Sequence, residues 1–419
     1  MKISNNKIHW FNPGHEDAIR VGTPHYTPPA SVCRLMSELA FLPAWYANEN
    51  DYIIINEAIH TPRFLLSLPE TIRPPVIPIA CNCPPSPMED ENKILTILRS
   101  YNLTVFSLEA APWGLSPHSI RFFETLRSSN ENIIIPPWKE TYKTLTGRQT
   151  ALECLSKIRS FLPGYFEALA LPHFCTTEDE IRQFTSEYSP PYILKTPFSC
   201  SGRGLYRLPS RHLDLPATSW IKGSIRKQGC ISIEPALEKV CDFAMEFESD
   251  GKGHIHYKGS AVFNTLSNGS YTGNMLGSSR SIEKYLSAFI PVTHLREIRK
   301  TVASILTDLL SFEYRGYLGI DMLIYRKENT FAIHPFIEIN LRYTMGLVAL
   351  QISKRLIHPS STGQFMIAFN KKKYSTFNTH LQMQEKYPLR LCDSKIQSGY
   401  LALCPVLPES QYHAYILVS

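Results

Sequence analysis

Two patches of this 419-residue chain hold residue types that could do chemistry together. The first is Leu194-Lys195-Thr196-Pro197-Phe198-Ser199-Cys200-Ser201-Gly202-Arg203-Gly204. It puts a cation at the end of an apolar run and follows it with a loop of glycines and hydroxyls. A lysine ammonium is a compact point charge for phosphate oxygens. Gly202 and Gly204 let backbone N–H groups turn toward an anion with no Cβ in the way. Ser199 and Ser201 add hydroxyl donors, and Arg203 adds a second cation. The same residues would also serve as a hairpin turn beside a solvated lysine.

The second patch is Gly319-Ile320-Asp321-Met322-Leu323-Ile324-Tyr325, followed by Phe336-Ile337-Glu338-Ile339-Asn340-Leu341-Arg342. Asp321 interrupts an apolar strand pattern, and a buried carboxylate is costly unless paired or bound to metal. Glu338 and Asn340 share a face because side chains alternate along a strand. Three oxygen ligands on neighbouring strands suit Mg²⁺, which takes a few carboxylates plus phosphates and water. An edge hairpin with two solvated acids is the other reading, and Pro335 permits an edge strand. Taken together, the two patches point to an ATP site that neither would establish alone.

Between them lies Ile233-Glu234-Pro235-Ala236-Leu237, with Asp242 further on. A segment that holds adenine through its backbone needs one C=O acceptor and one N–H donor. Pro235 keeps its C=O and Leu237 its N–H. Asp242 could accept from ribose hydroxyls. A strand end carrying a surface carboxylate would look the same.

These residues need a scaffold. Hydrophobic content of 43% and charged content of 19% are those of an ordinary globular chain long enough for two or three cored units. The net charge of +6 comes without a long basic tract, which argues against nucleic acid as partner. Ten scattered cysteines lack zinc-knuckle spacing. No signal-peptide apolar region opens the chain, and no apolar run approaches the ~18 residues of a membrane span. The expectation is a reduced, cytoplasmic protein without a membrane segment.

The first ~145 residues carry buried-strand runs at 51–55, 76–80 and 103–106, a helical pattern at 92–98, and a strand 8–11 before a turn at Asn12-Pro13-Gly14. This reads as an α/β domain. Helices are predicted over 148–161, from Thr177 with a capping box, and over 282–311. Strands are predicted at 192–195, 230–233, 242–247, 254–259, 317–325 and 331–341, with a hairpin turn at 250–253.

A strand-ending lysine, a glycine loop, Glu-x-x-Leu, then Asp and Glu-x-Asn-x-Arg, in that order over roughly 148–346, resembles the ATP-grasp superfamily. The resemblance implies an α+β ATP-grasp fold, with two α+β subdomains clasping the nucleotide behind an α/β pre-grasp domain. Residues 1–145 would be that domain, and 146–230 the subdomain with the phosphate loop. Residues 231–419 would hold the hinge, the metal site and a C-terminal extension. By position, Lys195 would contact the α- or β-phosphate, and Ser199, Ser201, Gly202, Arg203 and Gly204 would cover the phosphates. Glu234 and Leu237 would hold adenine and Asp242 ribose. Asp321, Glu338 and Asn340 would bind Mg²⁺, and Arg342 would face the γ-phosphate or an acyl phosphate. The chain departs from the family pattern at Gly319, where many members carry arginine; Arg315 or Arg280 could substitute. For an upstream phosphate lysine it offers Arg148 or Lys157. The turn between the metal strands is long, which leaves the register near Pro335 open.

The resemblance further implies an ATP- and Mg²⁺-dependent ligase that joins a small-molecule or peptide carboxylate to an amine or thiol, and it is compatible with a homodimer. A phosphotransferase on the same fold and a catalytically reduced nucleotide-binding partner protein are the alternatives. His15 and Glu16, after the first strand, either line a substrate cleft or form a structural turn. The tail after 350, with Lys371-Lys372-Lys373, is either a contact surface or a peripheral subdomain.

Overall fold

The computed structural model describes residues 6–56, 59–80, 107–128, 131–166, 169–199, 204–267, 269–310 and 312–419. The expected strand 103–106 and helix 92–98 lie outside the described residues, as do Cys81, Cys83, Cys200, Ser201, Gly202 and Arg203. The chain forms two compact units. One comprises Met1–Lys139, Thr272–Ser281 and Arg342–Ser419, and the other Glu140–Tyr271 and Ile282–Leu341. This grouping differs from the sequence-derived boundaries at 145 and 230, because the chain leaves the first unit and returns to it.

The first unit begins with a parallel sheet of β1 (Asn6–Trp10), β2 (Tyr52–Ile55), β3 (Ile77–Ala80), β4 (Leu108–Pro112) and β5 (Ile133–Ile134), in the order β3-β2-β1-β4-β5. Alternation sends Ile8, Trp10, Tyr52 and Ile54 to one core with Val32, Phe122 and Phe123. It sends Ile53 and Ile55 to another, so both faces are buried as the apolar runs require. Order reverses at β1, which pairs with β2 on one side and β4 on the other.

The second unit holds two antiparallel sheets. The smaller joins β6 (His173–Cys175), β7 (Tyr192–Lys195), β8 (Leu205–Leu208) and β9 (Ile231–Pro235) in the order β6-β9-β7-β8. Helices Glu178–Glu187 and Leu215–Gln228 cover it through Ile181, Phe184, Ala217 and Ile221. Thr177 and Glu180 form the expected capping box. The larger sheet holds the long strands β10 (Glu238–Asp250) and β11 (Ile255–Thr265). Asp250 accepts from the Lys252 and His254 amides and closes the β10–β11 hairpin at the predicted turn.

The chain then passes β12 (Tyr271–Leu276), which belongs to the first unit from Thr272 on. The helical pattern expected over 282–311 is two helices, Ser279–Ser287 and Val292–Leu310, interrupted before Pro291. Strands β13 (Arg315–Lys327) and β14 (Thr330–Asn340) extend the larger sheet in the order β14-β13-β10-β11. Helix Arg148–Phe161, at its predicted bounds, packs on β14.

From Arg342 the chain belongs to the first unit again. Helix Met345–Leu356 is followed by β15 (Gly363–Phe369), β16 (Arg390–Cys392), β17 (Lys395–Ala402) and β18 (Tyr412–Val418), which join β12 in the order β12-β15-β18-β17-β16. Val348, Ile352, Ile416 and Val418 share a core with Phe11, Phe41 and Trp45, and Trp45 Nε1 donates to the Leu403 carbonyl at 2.7 Å. The tail is therefore core rather than periphery. Lys371, Lys372 and Lys373 are an exposed turn within it. No described helix is long and apolar enough to cross a membrane, and the described cysteines are free thiols.

Candidate functional site

Arg148, at the first turn of helix Arg148–Phe161, ties together the two patches singled out from the sequence. Its Nε donates to the Thr196 carbonyl at 3.1 Å. Its Nη2 donates to Ser199 Oγ at 3.1 Å and to Glu338 Oε2 at 3.0 Å. One buried guanidinium thus spans the root of the glycine loop and the Glu-x-Asn strand. Lys157, the other upstream candidate, makes none of these contacts in the structure.

Lys195 ends β7 and forms an ion pair with Glu234 on the neighbouring β9. The two line a small pocket, open to solvent, with Arg148, Ser232 and His334 as further polar groups. Leu152, Leu155, Phe174 and Phe336 supply apolar walls. Burial would raise the Glu234 carboxyl, but the Lys195 ammonium, His334 and Arg148 together outweigh this and keep its pKa below the ordinary value. Among the described residues, Glu234 Oε2 and both ring nitrogens of His334 are buried with no hydrogen-bond partner. Burial and nearby Lys195 push His334 down to about 4, against the opposing pull of Glu234, so the ring is neutral at pH 7.

His334 was not anticipated. It reaches the pocket because β14 bulges: Asp321 pairs with Glu338 and Leu323 with His334, so three residues of β14 face one of β13. That settles the register left open near Pro335. A histidine and proline inside Phe331-Ala332-Ile333-His334-Pro335-Phe336 were the signal. The titration of His334 has a measurable consequence. Between pH 6.5 and about 4 the unfolded chain binds a proton here that the folded chain refuses, so stability falls as pH drops through that window. A gap near 2.5 units corresponds to about 3 kcal/mol. His334→Phe should therefore show a smaller loss of unfolding free energy between pH 7 and 4 than the parent, measured by urea denaturation.

The acids lie on one face of adjoining strands. Asp321 is directly opposite Glu338, and Asn340 is opposite Gly319. On the other flank of β13, β10 places Glu246 opposite Gly319 and Ala244 opposite Asp321. Directly paired residues share a face, so buried Glu246 belongs with Asp321, Glu338 and Asn340. Its signal was the one that marked Asp321, an acid inside an apolar run. Among the described residues these carboxylates are not drawn into a closed three-ligand cluster; Glu338 is turned to Arg148. Mg²⁺ sites are completed by phosphate and water, so a preformed cage is not required. The donors are all hard oxygens on one face, which fits that ion. Of the residues offered as substitutes for the absent arginine, Arg315 begins β13 opposite Asp250, and Arg280 belongs to helix Ser279–Ser287.

The loop is firmly rooted on both sides of the stretch outside the described residues. Phe198 is held through N–H and C=O by the Gln228 amide at 2.9 and 3.1 Å. The Thr196 N–H donates to the Gly204 carbonyl at 2.9 Å. Gly204 is glycine for space: a Cβ would collide with Thr196 Oγ1 and Ser199 Cβ. Gly204→Ala should displace Ser199 and destabilise the unit by about 1–3 kcal/mol. The loss is read as a lowered melting temperature and a lowered urea midpoint. Leu237 lies half-buried between β9 and β10, where the Ala236 N–H donates to Pro191 O at 2.8 Å. Asp242 accepts from Lys239 Nζ at 2.6 Å and Thr265 Oγ1 at 2.8 Å.

Arg342 lies in the first unit, where its Nε donates to Glu16 Oε1 at 2.6 Å. His15 Nδ1 is 3.1 Å from Glu16 Oε2. Burial would raise the Glu16 carboxyl, but His15 and Arg342 hold it well below the usual carboxylate range. Asn12 clamps Gly114 through both amide atoms, at 2.8 and 3.2 Å, across the ends of β1 and β4. His15 and Glu16 thus sit at the point where strand order reverses, a common ligand position in parallel sheets.

No family model matches the sequence, and neither does any curated protein. Solved structures do match. Biotin carboxylase from Campylobacter jejuni, in complex with β-γ-ATP, is 12% identical with a TM-score of 0.53, over 99% of this chain and 87% of that one. The biotin carboxylase domain of Hydrogenobacter thermophilus 2-oxoglutarate carboxylase, with MgADP, ADP and bicarbonate, is 11% identical at 0.52, over 99% and 87%. N5-carboxyaminoimidazole synthetase from Staphylococcus aureus is 10% identical at 0.50, over 100% and 94%. At such identities the likeness speaks to architecture, and the chain has the ATP-grasp fold.

Proposed function

We propose that this chain, built on the ATP-grasp fold, is a Mg²⁺-dependent ligase that uses ATP to activate a carboxylate for attack by an amine or thiol. The observation that carries the reading is Arg148, which joins the root of the glycine loop to Glu338 beside the Lys195–Glu234–His334 pocket. Two of the structural neighbours were solved with adenine nucleotides, which supports a nucleotide in such a pocket.

In this reading Lys195 binds an α- or β-phosphate oxygen and leaves Glu234 to accept from the base. Leu237 contributes its N–H to adenine, and Asp242 the ribose contact. Ser199, at the rooted end of the loop, donates to phosphate, with Ser201, Gly202, Arg203 and Gly204 covering it and excluding water from the activated acid. Asp321, Glu338 and Asn340 would hold Mg²⁺, with Glu246 on the same face; bound there, the ion neutralises phosphate charge. The substrate carboxylate gains the γ-phosphoryl group as ADP departs, and the amine then displaces phosphate from the acyl carbon.

Two features favour a second reading, nucleotide binding without turnover: Arg148 already pairs with Glu338, and Gly319 stands where the family resemblance leads one to expect arginine. The test is a panel of acids and amines with Mg-ATP. Phosphate released only when both substrates are present supports the ligase. ADP without free phosphate marks a phosphotransferase. A melting shift with no turnover marks a binding protein, and no shift at all rejects the site.

A further inference from the structure

In the first unit three side chains of different chemistry converge: His358, Cys392 and Asp393. One ligating atom from each lies within 4.8 Å of the others. Cys392 and Lys395 close the β16–β17 hairpin as a pair, with Asp393 and Ser394 as its two loop residues. Both loop residues are left-handed, at φ of 48° and 62°, as a tight two-residue hairpin turn demands. That geometry places the thiol and the carboxylate side by side at the tip.

His358 is brought to the same tip by separate ties. Its N–H donates to the Ile396 carbonyl at 2.9 Å, and Ser361 Oγ donates to the Gln397 carbonyl at 2.7 Å. The segment after helix Met345–Leu356 is thereby stapled along β17, with Ile357 bridged to Ile396. The ring is oriented as well: Nδ1 lies 2.7 Å from Ser360 Oγ, and Nε2 faces Asp393 Oδ2 at 4.0 Å. The Ser360 N–H also lies 3.4 Å from Nδ1, a long contact beside the 2.7 Å one to Oγ; with the proton on Nδ1 and donated to Ser360 Oγ, the Nε2 lone pair is left for the cluster. A partner on the far nitrogen is the usual way a ligating histidine is held.

We propose that His358 Nε2, Cys392 Sγ and an Asp393 oxygen form a Zn²⁺ site, with water completing a four-coordinate ion. The donor set argues for zinc over magnesium, since sulfur and imidazole suit a borderline-soft ion while Mg²⁺ prefers oxygen. Binding releases the Cys392 proton to solvent, because the thiolate is the ligand. Its structural effect is to pin the hairpin tip to the segment after helix Met345–Leu356.

The test uses the full chain, stripped by chelator and titrated with Co²⁺ alone, then with Zn²⁺. One equivalent of Co²⁺ should give thiolate-to-metal charge-transfer absorption that Zn²⁺ abolishes, and Zn²⁺ should raise the melting temperature reversibly. Cys392→Ser should remove the absorption, and Asp393→Asn, which keeps the left-handed turn, should weaken binding. Ser360→Ala should weaken it about tenfold. Asp321→Asn with Glu338→Gln should leave the absorption intact, which separates this site from the nucleotide site. Absorption that survives Cys392→Ser, or its absence from the parent, overturns the proposal.

Discussion

On the proposed ligase reading, Glu338→Gln should lower turnover by several powers of ten while leaving the fold intact. The choice of glutamine matters. Arg148 is only 8% exposed and shares Nη2 between Ser199 and Glu338. Alanine would leave part of that guanidinium facing nothing, and the loss would mix structure with chemistry. Glutamine keeps an acceptor for Arg148 and removes the charge that Mg²⁺ needs. The expected signature is a large fall in kcat together with a higher magnesium requirement, at a melting temperature close to the parent's. Asp321→Asn should behave alike, since it faces Glu338 across the strand pair. Unchanged turnover and magnesium dependence in Glu338→Gln would mean that this face of the sheet does not hold the metal.

Much of the candidate site is legible in the sequence because it rests on local pattern. Lys195 at a strand end, Asp321 inside an apolar strand and the two-residue spacing of Glu338 and Asn340 are each visible over a few residues. The fold adds only their register, Asp321 opposite Glu338. What stayed hidden depends on long-range pairing. Glu246 joins the acids because β10 lies beside β13 in a particular register, and Phe243-Ala244-Met245-Glu246-Phe247 alone does not reveal its neighbour. His334 enters the pocket through a bulge, and periodicity assigns such a residue to either face. Arg148 appeared only as a loose substitute for a lysine. Its role follows from a helix start packed against β14, a contact separated by 190 residues. The tail failed differently. Its strands alternate too weakly to announce a partner, and they are core because β12 and helix Met345–Leu356 bring them to Phe11 and Trp45.

Lys195→Met should both weaken ATP binding and destabilise the second unit, and the two losses should be separable. Methionine retains much of the lysine stem's volume and removes the ammonium. Glu234 is then a nearly buried carboxylate whose principal partner has gone, a change that typically costs on the order of 3 kcal/mol. Adding Glu234→Gln removes the stranded charge, so the double variant should recover most of the lost stability. It should not recover nucleotide affinity, because a phosphate oxygen still meets no cation at 195. Urea unfolding and calorimetric titration with Mg-ATP on the four members of this cycle measure both quantities. ATP bound by Lys195→Met as tightly as by the parent would place the phosphate cation elsewhere, with Arg148 the next candidate by position. Stability that Glu234→Gln fails to restore would show that Lys195 supports the pocket through packing and not through its charge.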